Sequence, residues 1–470
     1  MAFILLIHLL LSTPIHSQQR TPTASTKAKS QKLASHVILI SIDGMSADYV
    51  VNPDTYKLKT PNLRALRSKG AYAMSAETVY PSLTYPAHTT MVTGMLPADH
   101  GITSNRVFDE QSGEQTSAWH WFAREIKTET LWDAAKRAGL VTAAVGYPVT
   151  AGAEINFNVP EIFNVPGSES SEPPVRRYTN PPELLNELSA ALKVDAAQSS
   201  SFTLNLAGFE TADRIRAESA AYLIEKHHPN LLLLHLISFD DAQHKHGPFS
   251  AEAIAVLERI DELLKRIIDA TERAGLTNET AFFIVSDHGF MKVEQEFNPN
   301  VVLAKKGLLT VNAQGKIASW RAAAQALGGS AAIIVKDQKD EKTAHEAEEA
   351  FTEIFKQPNS PIWRIVSRRD ASRLGADPRA AFYLEAAPMY MMGSRSHGAV
   401  VSKSSERGAH GYLPSRSEMR ASLIMNGRGI KPGVKLEYAR LMDIAPTIAR
   451  LLGLEMRTMR GKVISEVIAP

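Results

Sequence analysis

The chain has 470 residues, of which 44% are hydrophobic and 22% charged, a formal net charge of +2 and no cysteine. This is a globular composition, long enough for one large domain with an insertion or for two domains, and it excludes a disordered chain or a basic nucleic-acid-binding surface. Without cysteine there are no disulfides, thiol nucleophiles or thiolate zinc sites, so any zinc would be held by histidine and carboxylate, as is usual in catalytic centres.

Phe3–Leu11 is a short apolar run followed by Ser12, Thr13 and Ser17. It resembles a secretory signal without the basic start, and it is too short for an ordinary membrane span. Residues 1–18 are therefore expected to direct export, to a secreted or periplasmic location, with a retained anchor as the alternative and no span in the mature chain. Residues 19–34, rich in Ser, Thr, Gln and Lys, read as a flexible leader.

The folded part, residues 35–470, opens with His36-Val-Ile-Leu-Ile-Ser-Ile42, a continuous apolar run of the kind buried in parallel sheets. Asp43-Gly44 follows, at the strand end where open α/β sheets place their ligands. Asn62–Lys69 reads as a helix. In Thr78–Gly94, Tyr80-Pro81 is extended or turning and Pro86 suits a first helical turn, so Thr84 falls at a helix start. N–H groups there favour anions; taken alone, Thr84 is an ordinary cap.

His100–Asp109 reads as a loop, Leu131–Ala138 as a helix and Leu140–Val145 as a second buried strand. Tyr147–Asn180, rich in Pro, Gly, Asn and Ser, reads as irregular. Helices are expected at Pro182–Leu192, Ala212–Lys226 and Glu252–Ala274, and strands at Leu231–Ser238 and Ala281–Val285. The alternation predicts an α/β fold: a doubly wound, mostly parallel central sheet flanked by helices. Residues from about 291 to 407 change character, with a strand at Ala331–Val335 and a helix near Lys342–Phe355, and are expected to form a smaller inserted subdomain. A strand at Ala421–Met425 and a helix near Met442–Leu452 close the chain.

Six potential metal ligands follow strands or sit in glycine turns: Asp43, Asp240, His244, Asp287, His288 and His410. Asp240 and His244 are four apart, so one helical turn would put them on one face. A bend after the strand could aim Asp287 and His288 at one ion. Carboxylate with imidazole suits zinc, and manganese or iron would accept the same donors.

Ile42-Asp43-Gly44, Pro81-Ser-Leu-Thr-Tyr-Pro-Ala-His88, Val92-Thr-Gly94 with His100-Gly101, Asp240-x-x-x-His244, Ser286-Asp-His-Gly289 and Ala409-His-Gly411 resemble the alkaline phosphatase superfamily. More narrowly, they resemble its nucleotide pyrophosphatase/phosphodiesterase branch, over nearly the whole chain after residue 35. The resemblance implies two zinc ions: one held by Asp240, His244 and His410, the other by Asp43, Asp287, His288 and the Thr84 oxygen. It implies Thr84 as a nucleophile that becomes phosphorylated, and Asn105 as the partner of the Thr84 N–H in holding a phosphate oxygen. It makes Tyr85 a stacking surface for a nucleobase, with a packing aromatic as the alternative.

The expected substrate is a nucleotide or another small phosphodiester. Ala87 departs from the asparagine common in nucleotide-cleaving relatives. Relatives specialised for monoesters carry a Lys-x-Arg pair where this chain has Gly146-Tyr-Pro-Val-Thr150, and the lack of a cation there favours a diester. Cleavage of monoesters, phosphonates or choline-type diesters is the alternative within the superfamily, and an inactive metal-binding protein the alternative outside catalysis. A sulfatase is not the expectation, since no cysteine is available to mature into formylglycine and Thr84 cannot substitute for it.

Overall fold

Every residue of β1 (His36–Ile42) is buried, and β1 is a central strand of an eight-stranded sheet. The computed structural model describes residues 32–163, 165, 172–194 and 208–470. In chain order the other strands are β2 (Ala71–Ala73), β3 (Thr142–Val145), β4 (Phe157–Val159), β5 (Leu231–Leu236), β6 (Thr280–Val285), β7 (Leu423–Gly427) and β8 (Val434–Leu436). Across the sheet they run β8-β2-β7-β6-β1-β5-β3-β4. All neighbours are parallel except β7, which is antiparallel to both β2 and β6.

Alternate side chains of β1 feed two different cores. Ile38, Ile40 and Ile42 join a cluster with Leu223, Leu257 and Leu264, from the helices Phe209–His227 and Ala251–Arg273. Val37 and Leu39 join a cluster with Met91, Leu131 and Ile448, from Thr84–Thr93, Leu131–Arg137 and Ile444–Leu452. Burying each such aliphatic side chain is worth about 1.5–3 kcal/mol, so the two-sided run itself calls for helices on both faces. The doubly wound expectation holds. Local signals also agree with the helix starts: the Ser250 hydroxyl accepts from the Ala253 N–H, and Thr130 forms a capping box with Asp133.

Between β6 and β7 the chain builds a second sheet, antiparallel, in the order Ala322–Leu327, Ser330–Val335, Ala380–Ala386, Ile362–Ser367. The helix Glu341–Phe355 buries Ala347, Ala350 and Phe351. Only one of these strands was legible in the sequence. Ala322-Ala-Ala-Gln-Ala-Leu327, for example, carries no β-branched or aromatic residue to mark it. This part shares its apolar cluster with Tyr80, Leu83 and Tyr412, which lie beside Thr84 and His410 in sequence.

Three expectations are corrected. His100–Asp109 is not all loop, since Arg106–Asp109 pairs with Glu114–Trp119 in a hairpin. Tyr147–Asn180 is not all irregular: Phe157–Val159 is the edge strand β4 and Pro174–Tyr178 a short helix, both too brief to show a period. The leader ends earlier than residue 34, because the N–H groups of Leu33 and Ala34 both donate to the Leu451 carbonyl and Ala34 is buried. The expected signal, residues 1–18, lies outside the described residues.

Candidate metal-binding and catalytic site

β6, β1 and β5 are adjacent and parallel, so their C-terminal ends open at one edge of the sheet. Asp43 follows β1, and Asp287 and His288 follow β6. The helix Ser238–His246 begins two residues after β5 and carries Asp240 and His244 on one face, the His244 Nε2 3.4 Å from Asp240 Oδ2. His410 arrives from far away in sequence, directly after a two-residue strand, Gly408–Ala409, that pairs with Met291 and Lys292 beyond β6. The structure thus brings together all six expected ligand residues.

They form two overlapping groups in which one potential ligand atom from each member lies within 4.8 Å of the others: Asp240, His244, His410, and Asp43, Asp240, His288. Asp240 belongs to both. Asp287 stands alongside, its Oδ2 3.1 Å from His288 Nε2. Asp43 Oδ1, Asp240 Oδ1, Asp287 Oδ2 and His288 Nε2 are buried and have no hydrogen-bond partner. Buried carboxylate oxygens without partners are costly, and four open ligand atoms turned inward are what a cation-binding cavity requires.

The opposite ends of these side chains are held. His410 Nδ1 faces the Ser82 carbonyl at 3.0 Å, His288 Nδ1 the Gly289 carbonyl at 3.2 Å, and His244 Nδ1 the Gly408 carbonyl and Glu406 Oε2, both at 3.0 Å. Such bonds fix ring orientation and leave Nε2 for a metal. The Gly44 N–H donates to Asp287 Oδ1 at 3.1 Å. Burial and the neighbouring Asp287 push the Asp43 carboxyl well up, whereas for Asp287 burial is outweighed by the His288, His88 and His235 imidazoles together, which hold it well down. Burial also opposes protonation of His244, but Asp240 and Glu406 outweigh it and raise it to about 9.

Thr84 is the first residue of the helix Thr84–Thr93 and is 9% exposed. Four backbone groups open a helix, and here most are spoken for. The Tyr85 N–H donates to Asn105 Oδ1 at 2.9 Å, Pro86 has none, and the Ala87 N–H returns to the Leu83 carbonyl. Among the described residues the Thr84 N–H and hydroxyl take no partner. With its oxygen tied to Tyr85, Asn105 keeps its NH₂ as a donor. The helix is latched to the ligand cluster, since Ser82 receives His410, and His88 spans from the Thr84 carbonyl (2.7 Å) to Ser41 Oγ of β1 (2.9 Å).

Tyr85 is corrected. Its ring is fully buried, edge-on to Trp119 and Trp121, and its hydroxyl donates to Glu161 Oε1 at 2.8 Å. It offers no face to a base. A helical step of about 100° turns it away from Thr84 into the core.

Sequence reasoning missed Glu161, Arg216 and His235. Glu161 Oε2 accepts from Arg216 Nη2 at 3.0 Å and faces His235 Nδ1 at 3.3 Å, while His235 Nε2 lies 3.0 Å from Asp43 Oδ2. Burial works against the Glu161 charge, but Arg216, His235 and the Tyr85 hydroxyl together outweigh it and hold the carboxyl at about 2. The Arg216 guanidinium lies against Gly146 with no room for a side chain between them. A cation therefore does stand at the 146–150 loop, but it is buried and turned toward Glu161. The one available signal was His235, a polar break inside the apolar run of β5.

The sheet order, the helices on both faces and the position of the site define an alkaline-phosphatase-like α/β protein. The murine ectonucleotide pyrophosphatase/phosphodiesterase 5 structure matches with a TM-score of 0.63 and 19% identity, covering 93% of this chain and 100% of that one. The human counterpart gives 0.63 and 20%, covering 94% and 100%. The chain belongs to the type I phosphodiesterase/nucleotide pyrophosphatase family, whose model matches residues 37–413. It is 25% identical over 443 residues to an uncharacterized pyrophosphatase/phosphodiesterase of Schizosaccharomyces pombe, covering 91% of this chain and 79% of that one. It is also 25% identical over 259 residues to human ectonucleotide pyrophosphatase/phosphodiesterase family member 1, covering 54% of this chain but 23% of that one. Among the described residues no helix is long and apolar enough to cross a membrane.

Proposed function

We propose that this chain is a two-zinc phosphodiesterase or nucleotide pyrophosphatase that works through a phosphorylated Thr84. The observation that carries this reading is the set of four buried, unpartnered atoms on Asp43, Asp240, Asp287 and His288, latched to a helix that starts at Thr84. Three carboxylates and three imidazoles fit hard-to-borderline divalent ions, zinc first, with manganese or iron also accepted. Asp240, His244 and His410 would hold one ion, and Asp43, Asp287 and His288 the other, with Thr84 Oγ1 as a further ligand. Such ions acidify a hydroxyl and neutralise charge on a leaving oxygen.

Thr84 Oγ1 loses its proton to solvent water and attacks phosphorus. The Oγ1–P bond forms as the bond to the leaving alkoxide or phosphate breaks, and the leaving oxygen departs with the electron pair. Water then cleaves the phospho-threonine and restores the hydroxyl. The Thr84 N–H and the Asn105 NH₂ donate to a non-bridging oxygen, where such fixed donors are worth most in the transition state.

A diester, with one charge fewer on its phosphate than a monoester dianion, suits a site whose nearby Arg216 is committed to Glu161. A nucleotide or similar small diester is the substrate class, and the apolar run Phe3–Leu11 supports export to the periplasm or beyond. The test is hydrolysis of p-nitrophenyl thymidine monophosphate against p-nitrophenyl phosphate by zinc-loaded protein, with Thr84→Ala alongside. Diester preference lost in Thr84→Ala is expected. A monoester preference moves the chain to the phosphatase alternative, undiminished Thr84→Ala removes the nucleophile, and zinc binding without turnover leaves the inactive metal-binding protein.

A further inference from the structure

Glu161 is a buried carboxylate with no part in the chemistry above, yet it touches both sides of the site. It lies just beyond β4, is 6% exposed, and has three polar side-chain partners from three separate elements. Arg216, from the helix Phe209–His227, secures it. The guanidinium donates by Nη2 to Glu161 and by Nη1 to the His235 carbonyl at 3.1 Å, so one cation fixes the positions of both Glu161 and the strand that bears His235.

Two arms leave Glu161. The first runs through Oε2 to His235 and on to Asp43 Oδ2. Because His235 engages Oδ2, the other oxygen, Oδ1, is the one left open toward His288, 3.4 Å away. The second arm runs from Oε1 to the Tyr85 hydroxyl. Tyr85 is the residue after Thr84, and its N–H holds Asn105 Oδ1. A shift of the Tyr85 ring therefore moves the helix start and the donor pair together.

We propose that Glu161 is a positioning residue for both halves of the site: through His235 it sets which oxygen of Asp43 faces the ion, and through Tyr85 it sets the placement of Thr84 and Asn105. It rests on the two-ion reading but concerns residues that neither touch substrate nor ligate metal. A buried ion pair such as Arg216–Glu161 is weak evidence for stability by itself, because desolvation offsets attraction. A role in orientation accounts for a charged pair placed between a ligand and a nucleophile.

The full-length protein tests this with two readouts: zinc affinity by competition with a chromogenic chelator, and kcat and KM on p-nitrophenyl thymidine monophosphate. Tyr85→Phe removes one hydroxyl and keeps the ring. It is expected to lower kcat by about tenfold while leaving zinc affinity and KM unchanged. Glu161→Gln breaks both arms and is expected to weaken zinc binding by about 10–100-fold as well as lowering kcat. Should Glu161→Gln fail to fold, His235→Gln carries the metal arm, with the same loss of affinity expected. Wild-type zinc affinity in folded Glu161→Gln or in His235→Gln, or unchanged kcat in Tyr85→Phe, overturns the corresponding arm. A wild-type protein that binds zinc tightly but cleaves no diester overturns the functional reading instead, and the affinities still decide the metal arm. A wild type that binds no zinc overturns both.

Discussion

The imidazole rings of His288 and His410 stack, 3.7 Å apart between centroids with 7° between their planes, although they lie far apart in sequence. Two stacked rings flanked by Asp43, Asp240 and Asp287 form a cavity wall of ligand atoms. Cation binding would relieve repulsion among those carboxylates, so metal should stabilise the folded state by mass action, by about 2.7 kcal/mol at a hundredfold excess over Kd. Thermal denaturation of chelator-stripped protein with and without zinc measures it. Asp240→Asn, which alters the one residue common to both groups, should abolish most of the gain. If zinc leaves the wild-type midpoint unmoved, the site model is wrong.

Metal uptake should also release a proton. His244 is raised to about 9, so near neutral pH the metal-free protein carries a proton there that a metal must expel. Calorimetric titration with zinc at pH 7 in two buffers of different ionisation enthalpy should show about one proton released from this residue, and progressively fewer toward and above pH 9. Glu406→Gln removes one of the two carboxylates that favour the proton and should reduce the release.

Glu385 predicts a different pH dependence. It is fully buried on the strand Ala380–Ala386, with the Leu413 N–H at 2.8 Å and Arg416 at 3.3 Å, and burial outweighs both and pushes its carboxyl up to about 8. The folded state thus holds this proton more tightly than the unfolded chain does, whose carboxyl titrates near 4.5. The contribution to stability is complete below that value, falls as pH rises toward 8, and is gone above it. Urea denaturation at pH 5, 6.5 and 8 should show wild type losing a few kcal/mol relative to Glu385→Gln across that window, at about 1.4 kcal/mol per pH unit at most. Parallel curves for the two proteins would refute the assignment.

Gly411 should tolerate no side chain. Its φ is +89°, and an added Cβ would meet the Leu327 carbonyl oxygen at 1.8 Å. Gly411→Ala should cost more than about 2 kcal/mol and weaken zinc binding, because the loop would move with His410. Gly139→Ala shares the left-handed backbone, at φ +72°, but meets nothing within 4 Å, and should cost only about 1 kcal/mol with zinc binding intact. Equal losses in the two variants would show that backbone conformation alone is responsible.

Much of the fold could be read because its strands are buried on both faces. His36–Ile42, Leu231–Leu236 and Thr280–Val285 appear as predominantly apolar runs, and the residues after them fall at one sheet edge by the geometry of parallel strands. The ligand candidates were readable for the same reason. Glu161 and Arg216 were not. A single carboxylate after a short edge strand and a single arginine in a charged helix have no periodicity, and their meaning lies only in the partners that the fold supplies. Tyr85 misled because a motif records position along the chain, whereas one step along a helix turns the side chain by about 100° toward other neighbours. In the second sheet, Ala322–Leu327 was hidden because an alanine-rich strand lacks the branched side chains by which strands are recognised.

The antiparallel strand β7 has a practical consequence. It lies next to β6, with Leu423 opposite Val285, and the Ser422 carbonyl accepts the Ser286 N–H immediately before Asp287. The family match ends at residue 413, short of this strand. A protein cut at that boundary would keep every candidate ligand and the nucleophile but leave the backbone edge of β6 unpaired directly beneath Asp287 and His288. Exposed strand edges of that kind recruit other chains. Trimming to the matched region would therefore yield a sticky, metal-poor fragment, and an inactive product from it would say nothing about whether the intact chain is an enzyme.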